Sequence, residues 1–195
     1  MASGRSFKDI VLHPNTLTLF RVVTIPGIVI LLLPQEPGKL FCFIAAVLFS
    51  LAAISDGLDG YYARSLGLVS NFGKFMDPLA DKLLVMSTLT MLTWHQWIPG
   101  WIACVIVGRE LAVTGLRGIA AEQGKVIAAE KLGKYKMGFQ IGAIIPLLLH
   151  HKYYFTESFF LDFGQVGYWV LWIALVFTIW SGAEYFRNYS KVIRS

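Results

Sequence analysis

Six apolar stretches constrain this chain more than any other feature. They cover residues 17–33, 40–63, 76–94, 97–121, 133–149 and 166–185, and each approaches the roughly 20 residues that a helix needs to cross a bilayer. The first is interrupted by Arg21 and Pro26, and the fifth is short and Gly-rich. A chain of 195 residues with 56% hydrophobic content and mean hydropathy of +0.61 lies far outside the range of soluble domains. The expected fold is therefore an all-α integral membrane protein, a bundle of six transmembrane helices. Six spans use up the chain, so a single domain covering 1–195 is expected. Residues 1–12 place Arg5, Lys8 and Asp9 among Phe7, Ile10, Val11 and Leu12. That pattern suits either an interfacial amphipathic segment or a frayed tail. The first span is too long for a signal-peptide core, and no small-residue cleavage site follows it.

The basic residues orient the bundle. Of the 17 Lys and Arg, all but Lys39 and Lys152 fall at one face once six spans are drawn. The positive-inside rule makes that face cytoplasmic, with both termini on it. The net charge of +5 thus reads as membrane topology, and no nucleic acid partner is expected.

Four carboxylates stand out against this background: Asp56 and Asp59 at the end of the second span, Asp77 and Asp81 at the start of the third. Ionised Asp near lipid depth costs several kcal/mol, so acids retained there point to a site. Spacings of three and four put each pair on one helix face. Two such pairs would form an oxygen-rich cage for hard divalent cations, Mg²⁺ or Mn²⁺ rather than Zn²⁺, because no His or Cys joins them. Two ions could clamp the oxygens of a phosphoryl displacement. Gly60 would let a pyrophosphate approach the backbone, and Arg64, one turn on, could grip phosphate oxygens. The competing account is a set of helix-end acids with a capping Gly. Because Asp77 precedes Pro78, either Asp77 caps the third helix or the turn there is distorted.

Asp56, Asp59, Gly60, Ala63, Arg64, Gly73, Asp77 and Asp81 fill the pattern D-x2-D-G-x2-A-R-x8-G-x3-D-x3-D, which resembles the signature of the CDP-alcohol phosphatidyltransferases. The resemblance implies a membrane enzyme that binds two divalent cations through Asp56, Asp59, Asp77 and Asp81, with Asp81 as the catalytic base. It further implies CDP-lipid contacts from Asn15, Thr18, Gly60, Arg64 and Ser70. For Asn15 and Thr18, next to Pro14, ordinary helix capping explains the same residues.

The connection between the fourth and fifth spans bears on the acceptor. Gly108-Arg109-Glu110, Leu116-Arg117 and Gly133-Lys134-x-Lys136, ending at Gln140, are similar to the phosphatidylglycerophosphate synthase branch of that family. That likeness implies transfer of a phosphatidyl group from CDP-diacylglycerol to glycerol 3-phosphate, with Arg109, Lys134 and Arg117 binding the acceptor phosphate. It also implies a homodimer among membrane lipids, in a bacterial inner membrane. The branch often has Thr where this chain has Met137, so no hydroxyl is expected there. Positive-inside bias accounts for Lys125, Lys131 and Lys136. Arg109 lies in an apolar run and must be paired or bound to an anion. A pair with adjacent Glu110 is not expected, since consecutive residues do not face each other on a helix.

The four His residues sit at membrane borders and read as interfacial, while Cys42 and Cys104 read as small hydrophobes. Two rival readings remain: the same chemistry with inositol phosphate, serine or phosphatidylglycerol as acceptor, or an ion carrier that uses intramembrane carboxylates.

Overall fold

The computed structural model describes residues 14–66, 71–125, 131–156 and 159–194, with the side chains of 14–18, 56–66, 71–75, 77–78, 131, 155–156, 159 and 192–194 left aside. Residues 1–12 and Ser70, both given roles above, lie outside the described residues. Among those described there are six helices: α1 (Pro14–Leu32), α2 (Lys39–Leu66), α3 (Asn71–Trp94), α4 (Gly100–Glu122), α5 (Lys131–Leu149) and α6 (Phe163–Arg194). A two-stranded hairpin, β1 (Lys152–Thr156) and β2 (Phe159–Asp162), sits between α5 and α6. The chain divides into two compact units, residues 1–91 and 92–195.

In the first unit α1 packs on α2. The buried face of α1 is Arg21, Thr24, Ile28 and Leu32; that of α2 includes Cys42, Ala45, Phe49, Ala52 and Ser55. These are spacings of three and four, the repeat that keeps residues on one side of a helix. Leu40, Phe43, Val47, Leu51 and Ile54 point outward, so α2 is apolar on both sides. A helix apolar all round suits burial or a lipid surround. In α3 the buried positions are Ala80, Leu84, Thr88, Leu89, Met91 and Leu92.

In the second unit α6 packs along α5, and α4 lies against α6. Gly167 makes the first contact close: a Cβ there would stand 2.7 Å from Leu147 Cγ and 2.9 Å from the Ala143 carbonyl oxygen. Further along the same pair, Gln140 Nε2 donates to Thr178 Oγ1 at 3.3 Å and Phe139 stacks on Phe177 with centroids 5.0 Å apart. Trp101 of α4 meets Trp172 of α6 edge-on at 5.5 Å.

Three boundaries differ from expectation. Helix α3 starts at Asn71, so Asp77 and Pro78 lie inside it and Asp77 is not its cap. Helix α6 runs to Arg194, beyond the expected end at 185. The hairpin corrects a purely helical account of residues 150–165. Its strands, KYYFT and FFLD, are rich in aromatics, which fit a pleated surface, and Tyr154 pairs with Phe160 across them at 5.7 Å. Among the described residues, one helical segment, 163–191, is long and apolar enough by itself to cross a membrane; 19–32 and 39–55 are shorter apolar helices.

Candidate active site

The acidic motif falls on two continuous helices. Positions 56 and 59 extend the heptad-like register of Ala45, Phe49 and Ala52 in α2, and positions 77 and 81 lead into Leu84, Thr88 and Met91 in α3. Asp81 is partly buried. The side chains of Asp56, Asp59, Asp77 and Arg64 lie outside the described residues, as does the environment of Gly60. Among the described residues no group of three or more His, Cys, Asp or Glu could hold a metal. Four carboxylates paired at three and four residues along α2 and α3 would supply only hard oxygen ligands, the donor chemistry that Mg²⁺ or Mn²⁺ takes. In α1, Asn15 and Thr18 occupy register positions that continue to the fully buried Arg21 and to Thr24. Their side chains too lie outside the described residues.

In the second unit, charge is gathered on neighbouring helices. Arg109 Nη1 donates to Glu110 Oε1 at 2.9 Å, and Lys136 Nζ of α5 donates to the same oxygen. Arg109 Nη2 donates to Ser181 Oγ of α6 at 3.0 Å. The Arg109–Glu110 pair contradicts the expectation that adjacent residues would not meet. Both side chains are long enough to lean to one side of α4, and the partners on α5 and α6 hold them there. Lys136 has a packing role beyond the positive-inside bias assigned to it above. It is buried, on the stripe shared with Gln140, Ala143 and Leu147, whereas Lys134 is exposed. The seven-residue register from Lys136 to Ala143 was the available signal. Arg117 is exposed, its guanidinium 5.9 Å from the Tyr185 ring centroid.

At the other end of this unit, Trp97 is stacked between His95 (4.7 Å) and His150 (3.8 Å). Burial, reinforced by the neighbouring His151 and His95, lowers the His150 pKa, with Asp162 opposing. These His residues thus pack as aromatic side chains.

The family model for CDP-alcohol phosphatidyltransferase matches residues 11–180. The chain belongs to that family. Among its curated relatives, the CDP-diacylglycerol--glycerol-3-phosphate 3-phosphatidyltransferase of Bacillus subtilis (strain 168) is 46% identical, over 93% of this chain and 97% of its own length. Proteins of the same name from Rickettsia bellii (strain RML369-C) and Haemophilus influenzae (strain ATCC 51907 / DSM 11121 / KW20 / Rd) are 38% and 36% identical, covering 91% and 89% of this chain and 95% and 91% of their own. The likeness thus extends over about nine tenths of the chain, well beyond the eight motif positions.

Proposed function

We propose that this protein transfers the phosphatidyl group of CDP-diacylglycerol to glycerol 3-phosphate, giving phosphatidylglycerol phosphate and CMP. The observation that carries the proposal is the near-complete alignment at 46% identity with a relative named for that reaction. Asp56, Asp59, Asp77 and Asp81 hold two divalent cations, Mg²⁺ or Mn²⁺, which when bound supply charge neutralisation and alignment of the pyrophosphate. Asn15, Thr18, Gly60, Arg64 and Ser70 bind the CDP-lipid; Arg109, Lys134 and Arg117 bind the acceptor phosphate. Asp81 takes the proton from the 1-hydroxyl of glycerol 3-phosphate. The resulting oxygen nucleophile attacks the lipid-linked phosphorus, the bond to the CMP oxygen breaks, and CMP departs. General base action of this kind contributes roughly 10² to 10⁴ in rate.

Element length supports a membrane setting. Helices of 19 to 32 residues are roughly 28 to 48 Å long, close to or above the roughly 30 Å of bilayer hydrocarbon. We read α1 to α6 as the six spans of one membrane domain, in a bacterial inner membrane with termini and acidic motif cytoplasmic. A homodimer is part of this reading. The deciding experiment is an acceptor panel: membranes supplied with CDP-diacylglycerol and Mg²⁺ plus glycerol 3-phosphate, inositol phosphate, serine or phosphatidylglycerol. CMP release with glycerol 3-phosphate is expected. Release only with a neutral alcohol would sink the assignment of Arg109 and Lys134, and cation flux without CMP release would favour the carrier.

A further inference from the structure

Glu110 serves two cations with one oxygen. Arg109 and Lys136 both donate to Oε1, and the side chains are 14% (Arg109), 18% (Glu110) and 6% (Lys136) exposed. One carboxylate between two cations leaves the trio with a single positive charge in excess, where shielding from water makes it strongly felt. The seat of Arg109 is built by α6. Ser181 donates its own hydroxyl proton to the Phe177 carbonyl at 2.6 Å, which leaves its oxygen to accept from Arg109. Gly182 adjoins it, and a Cβ there would come within 3.1 Å of Arg109 Cγ. Arg109 Nε is buried and has no hydrogen-bond partner, so the guanidinium is held by its Nη atoms with a donor in reserve.

We infer that Lys136 is a positioning residue for the phosphorylated acceptor: by sharing Glu110, it lets Arg109, seated on Ser181 and Gly182, keep net positive charge for the acceptor phosphate. The inference rests on the reading of Arg109 as a phosphate ligand. Without Lys136, Glu110 alone would neutralise Arg109, and the cluster would lose its attraction for an anion.

The test is a charge ladder on the full-length chain in vesicles containing CDP-diacylglycerol and Mg²⁺, with KM for glycerol 3-phosphate and for CDP-diacylglycerol measured separately. Lys136→Met brings the trio to zero charge and should raise KM for glycerol 3-phosphate about tenfold, with kcat and KM for CDP-diacylglycerol within twofold of wild type. Lys136→Arg should restore it. The double variant Glu110→Gln/Lys136→Met regains one positive charge and should return towards wild type, while Glu110→Gln alone, with two, should lie at or below wild type. Ser181→Ala should raise the same KM severalfold, and Ser181→Thr should not. A KM that fails to follow this order overturns the role of Lys136; if Lys136→Met does not accumulate, the order of wild type, double variant and Glu110→Gln decides. Arg109→Gln separates the two levels. If it leaves KM for glycerol 3-phosphate unchanged, the phosphate-ligand reading fails and this inference with it; if it raises KM while the ladder is flat, only the inference fails.

Discussion

The acidic motif of α2 and α3 and the charged trio of α4 and α5 are organised in opposite ways. In the first, spacing along two single helices carries the design: a step of three residues from Asp56 to Asp59 and of four from Asp77 to Asp81. In the second, Lys136 lies 26 residues from Glu110, and Ser181 lies 72 from Arg109, so the arrangement exists only when three helices pack. The comparison teaches where a charge can be read locally. A helix turns about 100° per residue whatever surrounds it, so carboxylates three or four apart share a face in any context. A cation meets its counter-ion according to which helix lies alongside, and that depends on packing.

The largest test bears on the acidic side. Asp81→Asn should leave CDP-diacylglycerol bound but reduce CMP release by about 10² to 10⁴; wild-type turnover in that variant would remove Asp81 as base. Next comes the cationic side, where Arg109→Gln should raise KM for glycerol 3-phosphate about tenfold to a hundredfold, the range for a hydrogen bond to a charged group. An equal rise in KM for CDP-diacylglycerol would break the division of labour between the two regions.

Packing should matter to one region more than the other. Gly167→Ala forces a Cβ against Leu147 and the Ala143 carbonyl and should cost about 1–3 kcal/mol, read as a lower midpoint of thermal unfolding. Where the variant remains folded, KM for glycerol 3-phosphate should move more than KM for CDP-diacylglycerol, because the trio needs α5 and α6 in place.

The smallest expected effect is the pH response of the Trp97–His150 stack. Burial lowers the folded pKa of His150 below its ordinary 6.5, so the unfolded chain binds the proton more readily. Its contribution is complete above pH 6.5 and is lost as pH falls through the folded value. The unfolding midpoint should therefore decline on acidification below 6.5, with a shallower slope in His150→Gln; equal slopes would show that the stack is insensitive to protonation.

Much of the fold was legible because apolar length and helical repeat are local properties. The α1 to α5 bounds lie within about five residues of the stretches read from sequence. The hairpin escaped notice because KYYFT and FFLD are too short for periodicity to separate strand from helix, and cross-strand pairing decided the matter. The pairing of Lys136 was not legible because a basic residue at a helix end fits topology and pairing equally well until a neighbouring Glu is in view. Arg109 and Glu110 were judged by backbone geometry alone, which neglects the reach of two long side chains held by partners on other helices.

By itself, the sequence determined the helical character of the chain, the three- and four-residue spacing of the two acid pairs and the family to which the protein belongs. All three follow from residue spacing and composition, which act over a few turns. Tertiary structure decided which cations share Glu110, that Ser181 and Gly182 seat Arg109, and that a hairpin joins α5 to α6. Those outcomes depend on groups brought together from distant parts of the chain, and only close packing supplies that proximity.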